Sequence, residues 1–194
     1  MTEQPQVVDN RDGNTLAAAI NTYLSDLDER LANDPDLDIV TGYFNPRGYF
    51  SVAEGLEHVD RVRLLIGAQP EQEGKEHWRH PDEPRGEAYE RQRIEEALQT
   101  LDQNLERDRD LLGFSRDVDQ GLQELVNFLR SDRVEVRRHE DSFVHGKAYM
   151  FSDSQGVIAG SSNFTGAGLN SNLELNLGTY DPHVTGQVND WFED

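Results

Sequence analysis

The chain has 194 residues, of which 38 are Asp or Glu and 18 are Lys or Arg, so its formal net charge is −20. It contains no cysteine, which excludes a disulfide framework and a thiolate metal site. Its apolar runs are too short to span a bilayer, and its N-terminus lacks the basic and apolar pattern of a signal peptide. We therefore expect a cytoplasmic protein with no membrane partner.

The basic residues are almost all arginine, since Lys75 and Lys147 are the only lysines in the sequence. The acidic residues are spread along the whole chain, and such a surface repels itself at low ionic strength. In molar salt the Debye length falls to about 3 Å and the repulsion is screened. The composition is typical of an extreme halophile's cytosolic protein. In that solvent a negative net charge does not exclude nucleic acid as a partner.

The hydrophobic pattern predicts one α/β domain over 14–194, preceded by a flexible N-terminus over 1–13. The predicted elements are, in chain order, a helix at 14–33, a strand at 37–44, a helix at 49–59, a strand at 61–67, a surface excursion at 68–85, helices at 87–110 and 117–130, strands at 134–136, 143–151, 156–161 and 172–180, and a closing helix from 182. The order strand, helix, strand over 37–67 is a βαβ unit. We therefore expect a mixed, largely parallel sheet with helices on both faces.

A His and a Lys stand two residues apart in the predicted strand at 143–151, so both side chains are expected on one face. A neutral imidazole, as in His145, is a nucleophile toward phosphorus. The ammonium of Lys147 offers a fixed positive charge to a phosphate oxygen. The pair therefore indicates phosphoryl-transfer chemistry that needs neither a metal nor a cofactor.

Three more polar residues follow in the predicted turn and the next strand. Ser161 and Asn163 supply neutral hydrogen-bond donors for a phosphate. Glu174, a single carboxylate in an otherwise apolar strand, is placed to hold the second ring nitrogen of His145 and to fix its tautomer. Chance H-x-K pairs are common, and the ordered combination of these motifs carries the hypothesis.

The sequences HGK, GSSNFT and NLE together resemble the phospholipase D superfamily, whose signature is H-x-K, an Asp, and G-S-x-N. The resemblance implies that His145 forms a covalent phosphohistidine, that Lys147, Ser161 and Asn163 bind the phosphate, and that Glu174 partners the histidine. The family aspartate is mainly structural. Its expected position holds Ser152, and Asp153 fits only if one residue is inserted after the strand.

A complete site in this superfamily uses two such motifs, one as nucleophile and one as general acid. The other histidines of the chain are never followed by x-Lys; they are His58, His77, His80, His139 and His183. The chain thus supplies half a site, and we expect a two-fold homodimer that brings both His145 side chains together.

The segment IVTGYFNPRGYF followed by RVRLLIG resembles the single-motif domains found at the N-terminus of helicase and ATPase polypeptides. The resemblance implies that the chain is the N-terminal part of a longer polypeptide with a helicase or ATPase domain. We expect a nuclease-type phosphodiesterase that acts on nucleic acid, most simply DNA. The alternative is a catalytically silent DNA-binding and dimerisation module. A third, a lipid phosphodiesterase, lacks an amphipathic membrane face or a basic patch in the sequence.

Overall fold

The computed structural model describes residues 4–67, 116–139 and 144–194. The excursion predicted at 68–85 and the helix predicted at 87–110 lie outside these residues. The strands are β1 (Val7–Val8), β2 (Asp36–Thr41), β3 (Arg61–Gly67), β4 (Val134–His139), β5 (Ala148–Phe151), β6 (Gly156–Gly160) and β7 (Asn176–Thr179). The helices are α1 (Leu16–Arg30), α2 (Pro46–Leu56), α3 (Arg116–Leu129), α4 (Ser152–Gln155), α5 (Gly166–Asn170) and α6 (Pro182–Glu193).

The strands form one sheet in the order β1-β7-β6-β5-β2-β3-β4. The predicted α/β class with a mixed sheet is confirmed. Parallel pairing, however, is confined to β2, β3 and β4, which are linked by helical crossovers. The strands from β5 onward return through short connections, and the pairs β2–β5, β5–β6, β6–β7 and β1–β7 are antiparallel. The expectation of a largely parallel sheet therefore holds only for one half of it.

One face of the sheet, which we call the helix-covered face, carries the main core. Its strands contribute Ile39, Tyr149 and Ile158, none of which is more than 1% exposed. Helices α1 and α2 pack there with buried apolar side chains such as Ile20 and Val52. The periodic apolar residues of the predicted first helix are thus confirmed as core.

Helix α6 packs on the opposite face of the sheet. Phe192 lies in a small cluster with Val40, Met150 and Val157. Arg63 on β3 holds the end of this helix, because its guanidinium pairs with Asp38 at 2.6 Å, with the carboxylate of Glu193, and lies 4.8 Å above the ring centre of Phe192. The closing helix predicted from 182 is confirmed.

The N-terminal segment differs from the flexible one that we predicted over 1–13. Val8 is fully buried, and β1 pairs with β7, so Val7 lies opposite Leu177. Asn10 ties the following turn to the domain, since its Nδ2 donates to Gly168 O at 2.9 Å. A two-residue strand gives no periodic signal, which explains why the polar composition concealed it.

Local capping explains where the first two helices begin. Thr15 caps α1 by accepting from Ala18 N. Asn45 caps α2 by accepting from Gly48 N, and Pro46 occupies the first helical position. The helix predicted at 49–59 therefore starts three residues earlier. No helix among the described residues has the length and apolar character needed to cross a membrane.

Candidate active site

The candidate site lies at one end of the sheet, where four strands meet. Strands β2 and β6 end there, at Thr41 and Gly160, whereas the antiparallel strands β5 and β7 begin there, at Ala148 and Asn176. The backbone of Lys147, directly before β5, is bonded to this edge, because Gly160 N donates to Lys147 O at 3.0 Å. The topology thus brings residues separated by more than a hundred positions to one edge.

Lys147 and Asn163 converge above Gly42, the residue that follows β2. A Cβ atom placed on Gly42 would lie 3.9 Å from Lys147 Nζ and 3.3 Å from Asn163 Oδ1. Lys147 is only 5% exposed, which is unusual for a lysine. The structure therefore brings together two of the three residues that were predicted to bind phosphate.

The amide of Asn163 is oriented by the segment after β2. Tyr43 N donates to Asn163 Oδ1 at 3.1 Å, and the hydroxyl of Thr41 lies 3.4 Å from the same oxygen. Thr41, fully buried, also accepts from Phe164 N at 2.9 Å. Because Oδ1 accepts from Tyr43 N, the Nδ2 group points to the other side, where it can donate to an anion.

Ser161 and Glu174 form a pair beside this centre. Ser161 Oγ donates to Glu174 Oε2 and accepts from Leu175 N at 3.0 Å. The close approach requires glycine at the preceding position, since a Cβ on Gly160 would lie 2.2 Å from Leu175 O. Glu174 falls within the strand predicted at 172–180, but the observed strand β7 begins two residues later, at Asn176. Its predicted role as the partner of His145 stays a prediction.

The structure corrects the predicted placement of the histidine. The segment 144–147 has no strand conformation, because β5 begins at Ala148. His145 is exposed whereas Lys147 is buried, and neither residue lies in a strand. Next to the histidine, Gly146 lies near α6, where an added Cβ would be 3.9 Å from Trp191 Cη2. The predicted common orientation of the two side chains stays a prediction.

A buried polar frame supports the site, and sequence reasoning missed it. Tyr149, fully buried, donates its hydroxyl to Ser162 O at 3.0 Å. Asn176, also fully buried, donates to Ser162 Oγ at 2.9 Å and accepts from Ser162 N. Burial, and secondarily the charge of Glu174, raises the pKa of the Tyr149 hydroxyl well above its usual range. The available signal was the polar residue at every second position in Glu174-x-Asn176.

Asp153, predicted to be structural, lies in the short helix α4 beyond the other end of β5, away from Lys147. The position that the superfamily gives to aspartate holds Ser152, whose Oγ accepts from Asp36 N at 2.9 Å. A serine hydroxyl therefore ties this turn to the start of β2. Nothing in the structure brings the backbone of residue 153 to the site.

Comparison with known proteins gives the family. Residues 36–194 match a family model described as "Cardiolipin synthase, PLD-like domain". A search of proteins with curated functions finds no relative of this chain.

Several solved structures have a similar fold. Nuc from Salmonella typhimurium, described as a phospholipase D family member, has a TM-score of 0.51 and 15% identity over 97% of this chain and 91% of its own. Polyphosphate kinase from Porphyromonas gingivalis has a TM-score of 0.54 and 12% identity, and phosphatidylserine synthase from Haemophilus influenzae a TM-score of 0.50 and 19% identity. The match covers 99% and 97% of this chain but only 23% and 36% of theirs. At these identities the structures show a common fold. Since the family model extends over most of the sequence, the chain belongs to the phospholipase D-like domain family.

Proposed function

We propose that the chain is a nuclease-type phosphodiesterase that cleaves nucleic acid without a metal, through a phosphohistidine intermediate. The observation that carries the proposal is the convergence of Lys147 Nζ and the Asn163 amide above Gly42. His145 precedes Lys147 by two positions in the sequence. A buried ammonium and an oriented amide are the donors that a pentacoordinate phosphorane needs on its non-bridging oxygens. Ser161 and Glu174 border the same place.

In the first step a ring nitrogen of His145 attacks phosphorus. The new P–N bond forms as the P–O bond to the leaving oxygen breaks, and the electron pair stays on that oxygen. The proton that neutralises it comes from the partner subunit's His145, which acts as general acid. Lys147 and Asn163 hold the phosphoryl oxygens, whose charge grows in the transition state.

In the second step water attacks the phosphohistidine. The neutral imidazole of the partner's His145 takes one proton from the water as the P–O bond forms and the P–N bond breaks. The products are an alcohol end, a phosphomonoester end and the regenerated pair of imidazoles. No external oxidant, reductant or metal is needed to balance either step.

A homodimer supplies the second histidine, and an exposed apolar surface beside the site supports it. We call this surface the apolar strip; its side chains are between 52% and 70% exposed, and they are Val7, Leu173, Leu175, Leu177 and Trp191. The strip borders the site at two points, through the bond from Leu175 N to Ser161 Oγ and through the contact of Trp191 with Gly146. Large exposed apolar surface in so acidic a chain is typical of an interface.

We propose DNA as the substrate and a covalently linked helicase or ATPase domain as the partner that the nuclease domain serves. This follows the resemblance of the N-terminal half to domains at the start of such polypeptides. One observation favours the second candidate function, a catalytically silent DNA-binding and dimerisation module. One oxygen of the Glu174 carboxylate, Oε2, already accepts a hydrogen bond from Ser161 within the protomer.

The test is cleavage of single-stranded and double-stranded DNA in molar KCl by wild type, His145→Ala and His183→Ala. His183 is exposed on α6, so His183→Ala is a control that makes the same His-to-Ala change outside the site. We expect His145→Ala to lose about a thousandfold or more in rate and His183→Ala to keep wild-type activity. Unchanged cleavage by His145→Ala would contradict the proposed mechanism, in which His145 is the nucleophile. DNA binding without cleavage by the wild type would establish the silent module.

A further inference from the structure

A second concave surface lies next to the candidate site, between α2 and α5. This cleft, which we call the α2–α5 cleft, has a volume of about 450 Å³. Its lining residues are Arg47, Phe50, Ser51, Gly166, Ala167, Asn170 and Ser171. The lining contains one cation and no carboxylate, in a chain with a formal net charge of −20. Such a surface is locally suited to an anion.

Two short backbone segments connect the cleft to the site. The residues after Tyr43 run parallel to those after Asn163, with Phe44 bridged to Phe164 and Asn45 N bonded to Phe164 O at 3.2 Å. Asn45 Oδ1 then accepts from Gly166 N at 3.1 Å. Three residues separate Asn163 from the wall of the cleft, a span of about 10 Å at most. The cleft is therefore within reach of the nucleotides next to a bound phosphodiester.

The side chains of Arg47 and Phe50 lie three residues apart on one side of α2. Phe50 is half-buried, and its ring is held from behind: a Cβ on Gly121 of α3 would lie 3.1 Å from Phe50 Cε1. Tyr49 meets the same ring edge-on at 5.8 Å. Arg47 is exposed, so its guanidinium can reach solvent-side groups. The pair offers a fixed aromatic face and an exposed cation.

The opposite wall is fixed by hydrogen bonds between α5 and α2. Asn170 Nδ2 donates to Ser51 Oγ at 2.7 Å and to Gly166 O at 3.1 Å. Ser51 Oγ in turn donates to Arg47 O at 2.8 Å. The cleft therefore has a defined shape in the absence of a ligand, which lowers the entropy cost of binding.

We propose that the α2–α5 cleft binds the single-stranded segment that flanks the scissile phosphodiester. A base stacks on Phe50, and a neighbouring phosphate contacts Arg47. The inference rests on the proposed function, and it specifies the substrate as a single strand. In a duplex the bases are stacked and paired, so none can lie on Phe50 without being extruded.

The test compares Arg47→Gln and Phe50→Leu with Arg130→Gln, all in the His145→Ala background so that no substrate is cleaved. Arg130 is exposed and follows α3 at the far end of the sheet, so it controls for the loss of one positive charge. The probe is a fluorescein-labelled oligothymidylate, and anisotropy gives its Kd over a salt series. We expect Phe50→Leu to weaken binding about tenfold. We expect Arg47→Gln to reduce the slope of log Kd against log salt by about 0.7, whereas Arg130→Gln changes neither quantity.

A second measurement, on variants that keep His145 and can therefore cleave, separates this inference from the proposed function. Bis(p-nitrophenyl) phosphate is too small to extend into the cleft, so Arg47→Gln and Phe50→Leu should hydrolyse it as fast as wild type. On the oligonucleotide the same variants should raise KM and leave kcat unchanged. If all three variants bind the oligonucleotide equally well, or if Arg130→Gln loses as much affinity as the other two, the proposed role of the cleft is wrong. The proposed phosphodiesterase activity could still be correct. A wild type that neither binds nor cleaves the oligonucleotide would overturn both.

Discussion

The two faces of the sheet differ in how their apolar side chains are covered. On the helix-covered face, Tyr149 and Ile158 are fully buried beneath α1 and its neighbours. On the opposite face α6 covers the middle strands, while Leu177 and Val7 at the β7–β1 edge remain more than half exposed. The apolar side chains of one face are buried within the protomer, whereas the other face leaves apolar side chains exposed at its β7–β1 edge.

Exposed leucines alternate with less exposed polar residues along 173–177, and this pattern locates the difference between the two faces. The three leucines of this segment point outward, while Asn176 between them is fully buried and Glu174 half-buried. A free-standing protomer would be expected to have the opposite pattern, because burying leucine is favourable and burying an amide is costly. The inverted pattern becomes favourable when a second copy covers the leucines and the polar residues serve the site.

The largest expected effect comes from placing a charge on the apolar strip. Leu177→Asp should convert the proposed dimer to monomers, because an unpaired carboxylate in an apolar interface is strongly unfavourable. Since each protomer supplies one His145, DNA cleavage should fall with the dimer, by about a hundredfold or more. Light scattering gives the mass, and the cleavage assay gives the rate.

The matched control for this variant is Val126→Asp, which places the same charge on α3. Val126 is 38% exposed and lies on an element that packs toward the helix-covered face. It should leave mass and activity unchanged. A Leu177→Asp protein that remains dimeric and active would show that the strip is not the interface.

The second prediction compares how much stability is lost when one apolar side chain on each face is replaced by alanine. Ile158 and Leu177 lie on neighbouring strands, and Ile158 is opposite Gly178 in the register. Ile158→Ala should lower the free energy of unfolding by about 2–5 kcal/mol, since it leaves a cavity in the main core. Leu177→Ala should cost under about 0.5 kcal/mol when measured at protein concentrations at which only monomer is present. Denaturant unfolding checks both values, and similar costs would contradict the difference between the faces.

Much of the fold could be predicted from the sequence where a pattern repeats over several residues. The apolar residues of α1 and the run Arg61–Gly67 predicted the correct element types, a helix and a strand. The pairing direction could not be predicted, because it depends on how the chain returns after β4. Nor could β1, since Val7–Val8 is too short to show a period.

Part of the candidate site could also be predicted. Lys147 and Asn163 converge as expected because a resemblance in motif reflects a common spatial arrangement. The strand predicted over 143–151 begins only at Ala148, so His145 and Lys147 lie before it, and their common orientation stays a prediction. Thr41 and Asn176 were missed because their roles arise from contacts across the sheet end, over more than ten positions in sequence. At Thr41 such contacts leave no local pattern, and at Asn176 the only local signal is the alternation of polar residues in Glu174-x-Asn176.

The smallest predicted effect concerns the buried hydroxyl of Tyr149 on the helix-covered face. Because burial raises its pKa, the folded protein keeps the proton while the unfolded chain releases it above about pH 10. The stabilising contribution is therefore complete below pH 10 and is lost as the pH rises further, at up to about 1.4 kcal/mol per pH unit. Tyr149→Phe should cost about 1 kcal/mol at neutral pH, through the lost bond to Ser162 O, and should flatten the alkaline decline. Unfolding curves at pH 7 and above pH 10 check both effects, and an unchanged alkaline slope would show that this hydroxyl does not remain protonated in the fold.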